Sequence, residues 1–200
     1  MEQTFPAPDT AAAAMTPLEA QLRECFGRVA YSHKTHEKCA DICATRLSRV
    51  KLWQIILSAV TTGGLITVLF GVKDVSHVSA FVSALTSTIL LGLNAYMKDN
   101  DPGQLSERHK KVASELWNVR ESYLSLLTDL RAASEPEPSL KRRRDDLQAK
   151  LSKIYETAPR TTDKAYAKAQ VGLQKNEELT FSDIELDALL PPALRSKQKT

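Results

Sequence analysis

Apolar and polar positions divide the chain into textures that alternate along its length. Leu22, Phe26, Val29, His33, His36, Ala40, Cys43, Leu47 and Val50 recur at alternating steps of four and three. Leu105, His109, Val112, Leu116, Val119, Tyr123, Leu126 and Leu130 repeat the same stepping further on. A narrow heptad stripe of this kind predicts a long helix packed against another long helix. Each stripe also has a start signal. Thr16-Pro17-Leu18-Glu19 offers an N-cap hydroxyl, a proline in the first helical position and a glutamate in the third, and Asp101-Pro102 supplies a similar cap and start.

Between the stripes the pattern changes. Leu52–Val72 and Val75–Met97 are uncharged runs meeting at Lys73-Asp74. As helices, each reaches about 30 Å, the thickness of a bilayer's hydrocarbon core. A turn at Lys73-Asp74 makes the two spans antiparallel and returns both striped helices to one membrane face, where they zip together as a stalk. The competing reading, a buried hairpin in a large soluble bundle, requires core helices of unusual length.

The rest of the chain is plainer. Ser134-Glu135-Pro136-Glu137-Pro138 is a break, followed by a charged helix with Leu140, Leu147, Leu151 and Ile154 inward and ended by Pro159. Thr162–Lys175 and Ser182–Leu190 predict two short helices, the second opened by a Ser182…Glu185 capping box. Met1–Met15, with no basic leader and with prolines at 6 and 8, is expected to be a disordered tail rather than a signal peptide. The expected fold is an all-α membrane protein. A transmembrane hairpin (52–97) continues into a cytosolic antiparallel helical stalk (16–51 and 98–132), and a small helical cytosolic tail (133–200) follows.

Composition sharpens this picture. Of 27 Lys and Arg and 24 Asp and Glu residues, only Lys73 and Asp74 fall between Leu52 and Met97, where about a dozen would fall in an ordinary mixture. The net charge of +3, with acidic residues interleaved, is too small for a nucleic-acid stripe. Cys25, Cys39 and Cys43 are odd in number, so no disulfide framework is implied, and a reduced compartment suits them. Lys34, Lys38, Arg46, Arg49 and Lys51 precede the first span, and Lys98, Arg108, Lys110 and Lys111 follow the second. Basic residues stay on the cytoplasmic side, so both termini are expected there in a multi-pass protein. Trp53 and Tyr96 put amphipathic rings at that same interface, as anchors.

In lipid the informative residues are small or hydroxylated, because the hydrophobic effect no longer drives helices together. Gly63, Thr67 and Gly71 form one row at steps of four, and Ala80, Ala84, Thr88 and Gly92 another; both suit close packing. Ser79, Ser83 and Ser87 form a hydroxyl row beside the second, and Gln54, Ser58 and Thr62 a shorter polar row. These polar rows either line a water-filled pore in a ring of subunits or serve as helix-packing contacts, with hydroxyls bonding back to carbonyls four residues earlier. Two small-residue rows on one helix point to several neighbours, hence a homo-oligomer. No ionisable residue lies deep in either span, which counts against a proton relay or voltage sensor. His33, His36, Cys39 and Cys43 spread over about 15 Å of helix axis, too far for one metal ion. No phosphate loop, nucleophile elbow or HExxH pattern is present, so neither catalysis nor a cofactor is expected.

Five segments, taken with this architecture, carry a family resemblance. They are Tyr31-Ser32-His33-Lys34-Thr35-His36-Glu37-Lys38; Leu90-Leu91-Gly92-Leu93-Asn94; Leu116-Trp117 with Tyr123-Leu124-Ser125-Leu126-Leu127-Thr128-Asp129-Leu130; Lys164-Ala165-Tyr166; and Glu178-Leu179-Thr180-Phe181-Ser182-Asp183. From about Leu18 to Leu194 the chain resembles the SLATT family, the SMODS- and SLOG-associating two-transmembrane effector domains. The resemblance implies an effector of a bacterial antiphage conflict system. Such an effector is switched on by a nucleotide-generating or nucleotide-sensing partner, perturbs the inner membrane and halts the infected cell. It carries over no catalytic residue. The alternative to a pore is a non-conducting anchor that holds a partner sensor or enzyme through its cytosolic helices.

Overall fold

The computed structural model describes residues 16–70, 76–191 and 195. The expected tail at 1–15, the turn at Lys73-Asp74 and the packing residue Gly71 lie outside the described residues. The described chain is all-α: α1 (Pro17–Leu69), α2 (Ser76–Asp99), α3 (Pro102–Arg131), α4 (Glu137–Thr157), α5 (Asp163–Gln174) and α6 (Asp183–Leu189). The caps are those the sequence announces. Thr16 Oγ1 accepts from the Glu19 amide at 3.2 Å, and Asp101 Oδ1 accepts from the amides of Gly103 and Gln104 at 2.8 and 3.2 Å. Ser182 and Glu185 form a reciprocal capping box at α6.

Residues divide into two compact units. One unit comprises the chain up to Ala30 together with Glu115–Glu156. Its core is the stripe itself: Leu22 and Val29 of α1 and Leu116, Val119, Tyr123 and Leu126 of α3 are fully buried, joined by Leu140 and Ile154 of α4. An ion pair between Glu19 and Arg131 at 2.8 Å joins the start of α1 to the end of α3, as antiparallel packing requires. Arg143 ties α4 down by pairing with both Asp129 and Glu135 at 2.7 Å. Burial, with Cys25 alongside, pushes the Tyr123 phenol up to about 12.

The other unit holds Tyr31–Ser114 and the chain from Thr157 on. Here α1 and α3 pair antiparallel through polar groups: His33 Nδ1 meets the Ala113 carbonyl at 2.9 Å, His36 Nδ1 meets His109 Nδ1 at 2.9 Å, and Ser106 Oγ donates to the Ala40 carbonyl at 2.9 Å. Beyond these contacts, α1 and α2 run as a hairpin whose outward apolar side chains are bare. Leu69 is 80% exposed, Phe81 71% and Leu91 70%. Core helices of a soluble bundle would bury such residues, whereas lipid is a good solvent for them.

Candidate functional site

The hairpin seam is built by continuing the stalk's stepping into the apolar span. Gln54, Leu57, Thr61, Gly64 and Thr67 of α1 are partly covered, as are Ser79, Thr86, Leu90, Leu93 and Met97 of α2, while Ser83 is buried. Gln54 Nε2 donates to Asn94 Oδ1 at 2.7 Å, the Thr61 and Thr86 hydroxyls share a bond of 2.8 Å, and Ser83 Oγ donates to the Thr61 carbonyl at 3.3 Å. As numbers rise along α1, their partners fall along α2, so the hairpin is antiparallel. Gly64 makes the closest approach: a Cβ there would stand 2.1 Å from Ser83 Oγ and 3.1 Å from the Ser79 carbonyl. Only a residue without a side chain permits this contact.

The residues singled out from sequence therefore part company. Gln54, Ser79, Ser83 and Thr67 lie on the seam, whereas Ser58, Thr62 and Ser87 are exposed. Gly63, Ala80, Ala84, Thr88 and Gly92 also face outward, and a Cβ added at Gly63 or Gly92 would meet nothing within 4 Å. Several hydroxyls bond back along their own helix, Thr67 to the Gly63 carbonyl and Thr88 to the Ala84 carbonyl, each at 2.9 Å. Ser83 instead reaches across the hairpin. Sequence reasoning missed Gly64, Thr61 and Thr86, although a signal existed. Continuing the stripe from Val50 by alternating four and three lands on Gln54, Leu57, Thr61 and Gly64 in turn.

At the open end of the hairpin Trp53 and Tyr96 are both exposed. The Arg46 guanidinium donates to the Tyr96 hydroxyl and lies 5.6 Å from the ring centroid, a cation–π geometry. Further along the same unit sits the histidine cluster. Burial, reinforced by His109 and His33, pushes His36 down to about 4, and burial beside Arg108 lowers His109. In a bond between two Nδ1 atoms one ring donates and the other accepts, so the contact holds only while at least one imidazole is neutral. Among the described residues no group of three or more His, Cys, Asp and Glu side chains is arranged to hold a metal ion.

The tail contributes to this unit through α5. Thr162 caps the helix, and Ala165, Ala169 and Gly172 form its buried face. Glu178, just beyond α5, pairs with Lys34 at 2.7 Å and Lys38 at 3.0 Å, and the Lys34 and Lys38 ammoniums hold its carboxyl down at about 2. The Gln174 amide donates to the Tyr31 hydroxyl at 2.8 Å, and the Tyr31 and Tyr166 rings lie 6.0 Å apart. No local pattern flagged these contacts, because their partners are far apart in the chain.

Comparison with known proteins agrees with this architecture. The family model for the SMODS and SLOG-associating 2TM effector domain family 4 matches residues 18–185. Neither curated proteins nor solved structures give a match. Two apolar helices of bilayer length joined to capped helical extensions are what a two-transmembrane effector requires. The chain belongs to SLATT family 4, a family of membrane effectors of conflict systems.

Proposed function

We propose that the hairpins assemble into a homo-oligomeric pore that breaches the bacterial inner membrane and arrests or kills the cell. In this reading both termini are cytoplasmic, the paired helices and tail receive the signal of a nucleotide-linked partner, and the chain performs no catalysis. One observation carries it: the seam of a single hairpin is closed by the Gly64–Ser83 contact, while a second set of small and hydroxylated residues, Ser58, Thr62, Gly63, Ala80, Ala84, Ser87, Thr88 and Gly92, faces outward. A lone hairpin encloses no path for ions, so conduction needs several copies. Gly63, Ala80, Ala84, Thr88 and Gly92 then pack copy against copy, and Ser58, Thr62 and Ser87 supply a hydroxylated lumen. Ser79, Ser83 and Gln54 hold each hairpin together. A change in α1 on the stalk side enters the span directly, since no proline separates Leu18 from Leu69.

Dye leakage on overexpression tests the pore. Ser58→Leu, Thr62→Leu and Ser87→Leu together are expected to abolish leakage while the protein stays in the carbonate-washed membrane. Undiminished leakage from that variant overturns the lumen assignment. The anchor reading draws on a different observation, the exposed apolar side chains Phe181, Ile184 and Leu189 around α6, which suit a protein partner. An anchor gives no leakage in the unmodified chain, with or without the tail.

A further inference from the structure

A basic cavity of about 360 Å³ lies beside the start of the first span, between α1 and α5. Arg46, Arg49, Lys164 and Lys168 line it, with Trp53 at its apolar edge and Asp41 as its one carboxylate. Asp41, Lys164 and Lys168 also line an adjoining cavity of about 520 Å³. Among the described residues, Arg49, Lys164 and Lys168 take part in no ion pair, whereas the other lysines of this region, Lys34 and Lys38, are occupied by Glu178. Against the single carboxylate of Asp41, the three uncommitted cations leave the concavity with an excess of positive charge that favours an added anion.

The height of the cavity says which anion. Arg49 and Arg46 stand about 6 and 10 Å before Trp53 along the helix axis. The polar layer on each side of the hydrocarbon is about 5–8 Å deep. The Arg49 guanidinium is thus level with lipid phosphates, with Arg46 about a turn further out, and the Trp53 edge is level with the glycerol backbone, where amphipathic rings gather. Basic pockets at this level are a recurring way of holding anionic headgroups. Planar guanidiniums pair bidentately with phosphate oxygens, and lysines add point charges.

We propose that this cavity is a binding site for the phosphate of an anionic phospholipid, which the Lys164 and Lys168 ammoniums of α5 and the Arg49 guanidinium of α1 clasp together. Lipid composition then sets how firmly the tail helix is held against the membrane-entering helix. The proposal rests on the reading of the apolar helices as membrane spans, and it is independent of whether the assembly conducts.

The test reconstitutes the full chain in vesicles of phosphatidylcholine alone and of equal parts phosphatidylcholine and phosphatidylglycerol, then counts retained lipids by native mass spectrometry after detergent release. Phosphatidylglycerol is expected to be retained preferentially. Each charge-assisted contact with a phosphate held in the cavity is worth at least about a factor of five in affinity. Arg49→Gln, Lys164→Gln and Lys168→Gln together should therefore lower the preference by roughly a hundredfold. Lys51→Gln, Lys98→Gln and Lys111→Gln, which remove equal charge from outside the cavity, should leave most of it. Equal losses in the two triple variants reduce the effect to diffuse surface attraction and overturn the site. Inorganic phosphate that protects the lipid-free, detergent-held chain against heating as well as phosphatidylglycerol does assigns the cavity to a soluble phosphate compound and overturns the lipid. Failure of the membrane reading looks different: carbonate then strips the chain from both kinds of vesicle alike.

Discussion

Two regions of this molecule use similar stepping with opposite chemistry. In the unit built around α4, the seam positions are Leu22, Val29, Leu116, Val119, Tyr123 and Leu126, all fully buried. In the hairpin the seam positions include Gln54, Thr61, Gly64, Ser83 and Thr86, which meet through hydrogen bonds and one close backbone approach, while most large apolar side chains, Leu57, Leu90, Leu93 and Met97 apart, point away. Where water surrounds a helix, burying leucine is the main driving force. Where lipid surrounds it, leucine gains little by moving inward, and packing of small residues with interhelical hydrogen bonds takes over. A heptad seam is thus a geometric device whose residues change with the solvent outside it.

The largest effect should expose that contrast. Leu126→Ala is expected to cost about 2–5 kcal/mol, because a buried leucine leaves a cavity. The same truncation at Ile66, which is exposed on the hairpin, should barely move the denaturation midpoint in detergent. A comparable loss at both positions would remove the distinction between the two seams. Next in size, Gly64→Val should separate the hairpin helices at a cost of about 1–3 kcal/mol, since the Ser83 side chain and the Ser79 backbone occupy the space it needs. Gly63→Val, one residue away in open space, should leave monomer stability intact. Equal melting losses in the two variants would relocate the seam.

The smallest effect concerns acid. The folded His36 titrates near 4 against an ordinary 6.5, so the unfolded chain binds the proton more readily in between. Stability is full above about 6.5 and falls as the pH drops toward 4, by about 1–2 kcal/mol once solvent screening of the partly accessible pair is allowed for. The charged groups acting on the pair are His109 and His33 on His36, and Arg108 on His109. His36→Phe should flatten that slope in a pH series of thermal melts, and an unchanged slope would show that the pair is not its source. Glu178 has its window lower, between about 4.5 and 2. Loss of the tail contact should therefore follow the histidine transition rather than precede it.

Much of the fold was legible from spacing. The stripes through Leu22 and Leu116, the caps at Thr16 and Asp101, the capping box at Ser182 and the two apolar runs all depend on residues within a few turns of one another. The candidate site was legible in kind but not in detail. Rows at steps of four were read on α1 and α2, yet the packed pair of helices follows alternating four and three, so contact passes from Ser83 to Thr86 and leaves Ser87 outside. One residue of error turns a helix position by about 100°, enough to exchange Gly63 for Gly64. The dockings of Glu178 on Lys34 and Lys38, and of Tyr166 on Tyr31, had no local signature.

By itself the sequence determined where helices begin, which stretches dissolve in lipid and that long helices pack by heptads, because caps, charge and periodicity act over short distances. Only the tertiary structure decided which of several adjacent small residues touch, which hydroxyls are spent inside the hairpin, and which lysines the tail neutralises. Those outcomes depend on the rotation of one helix against another and on pairings between distant segments. A local pattern constrains such choices only to within a residue or two, and here a residue is the difference between a seam and a free surface.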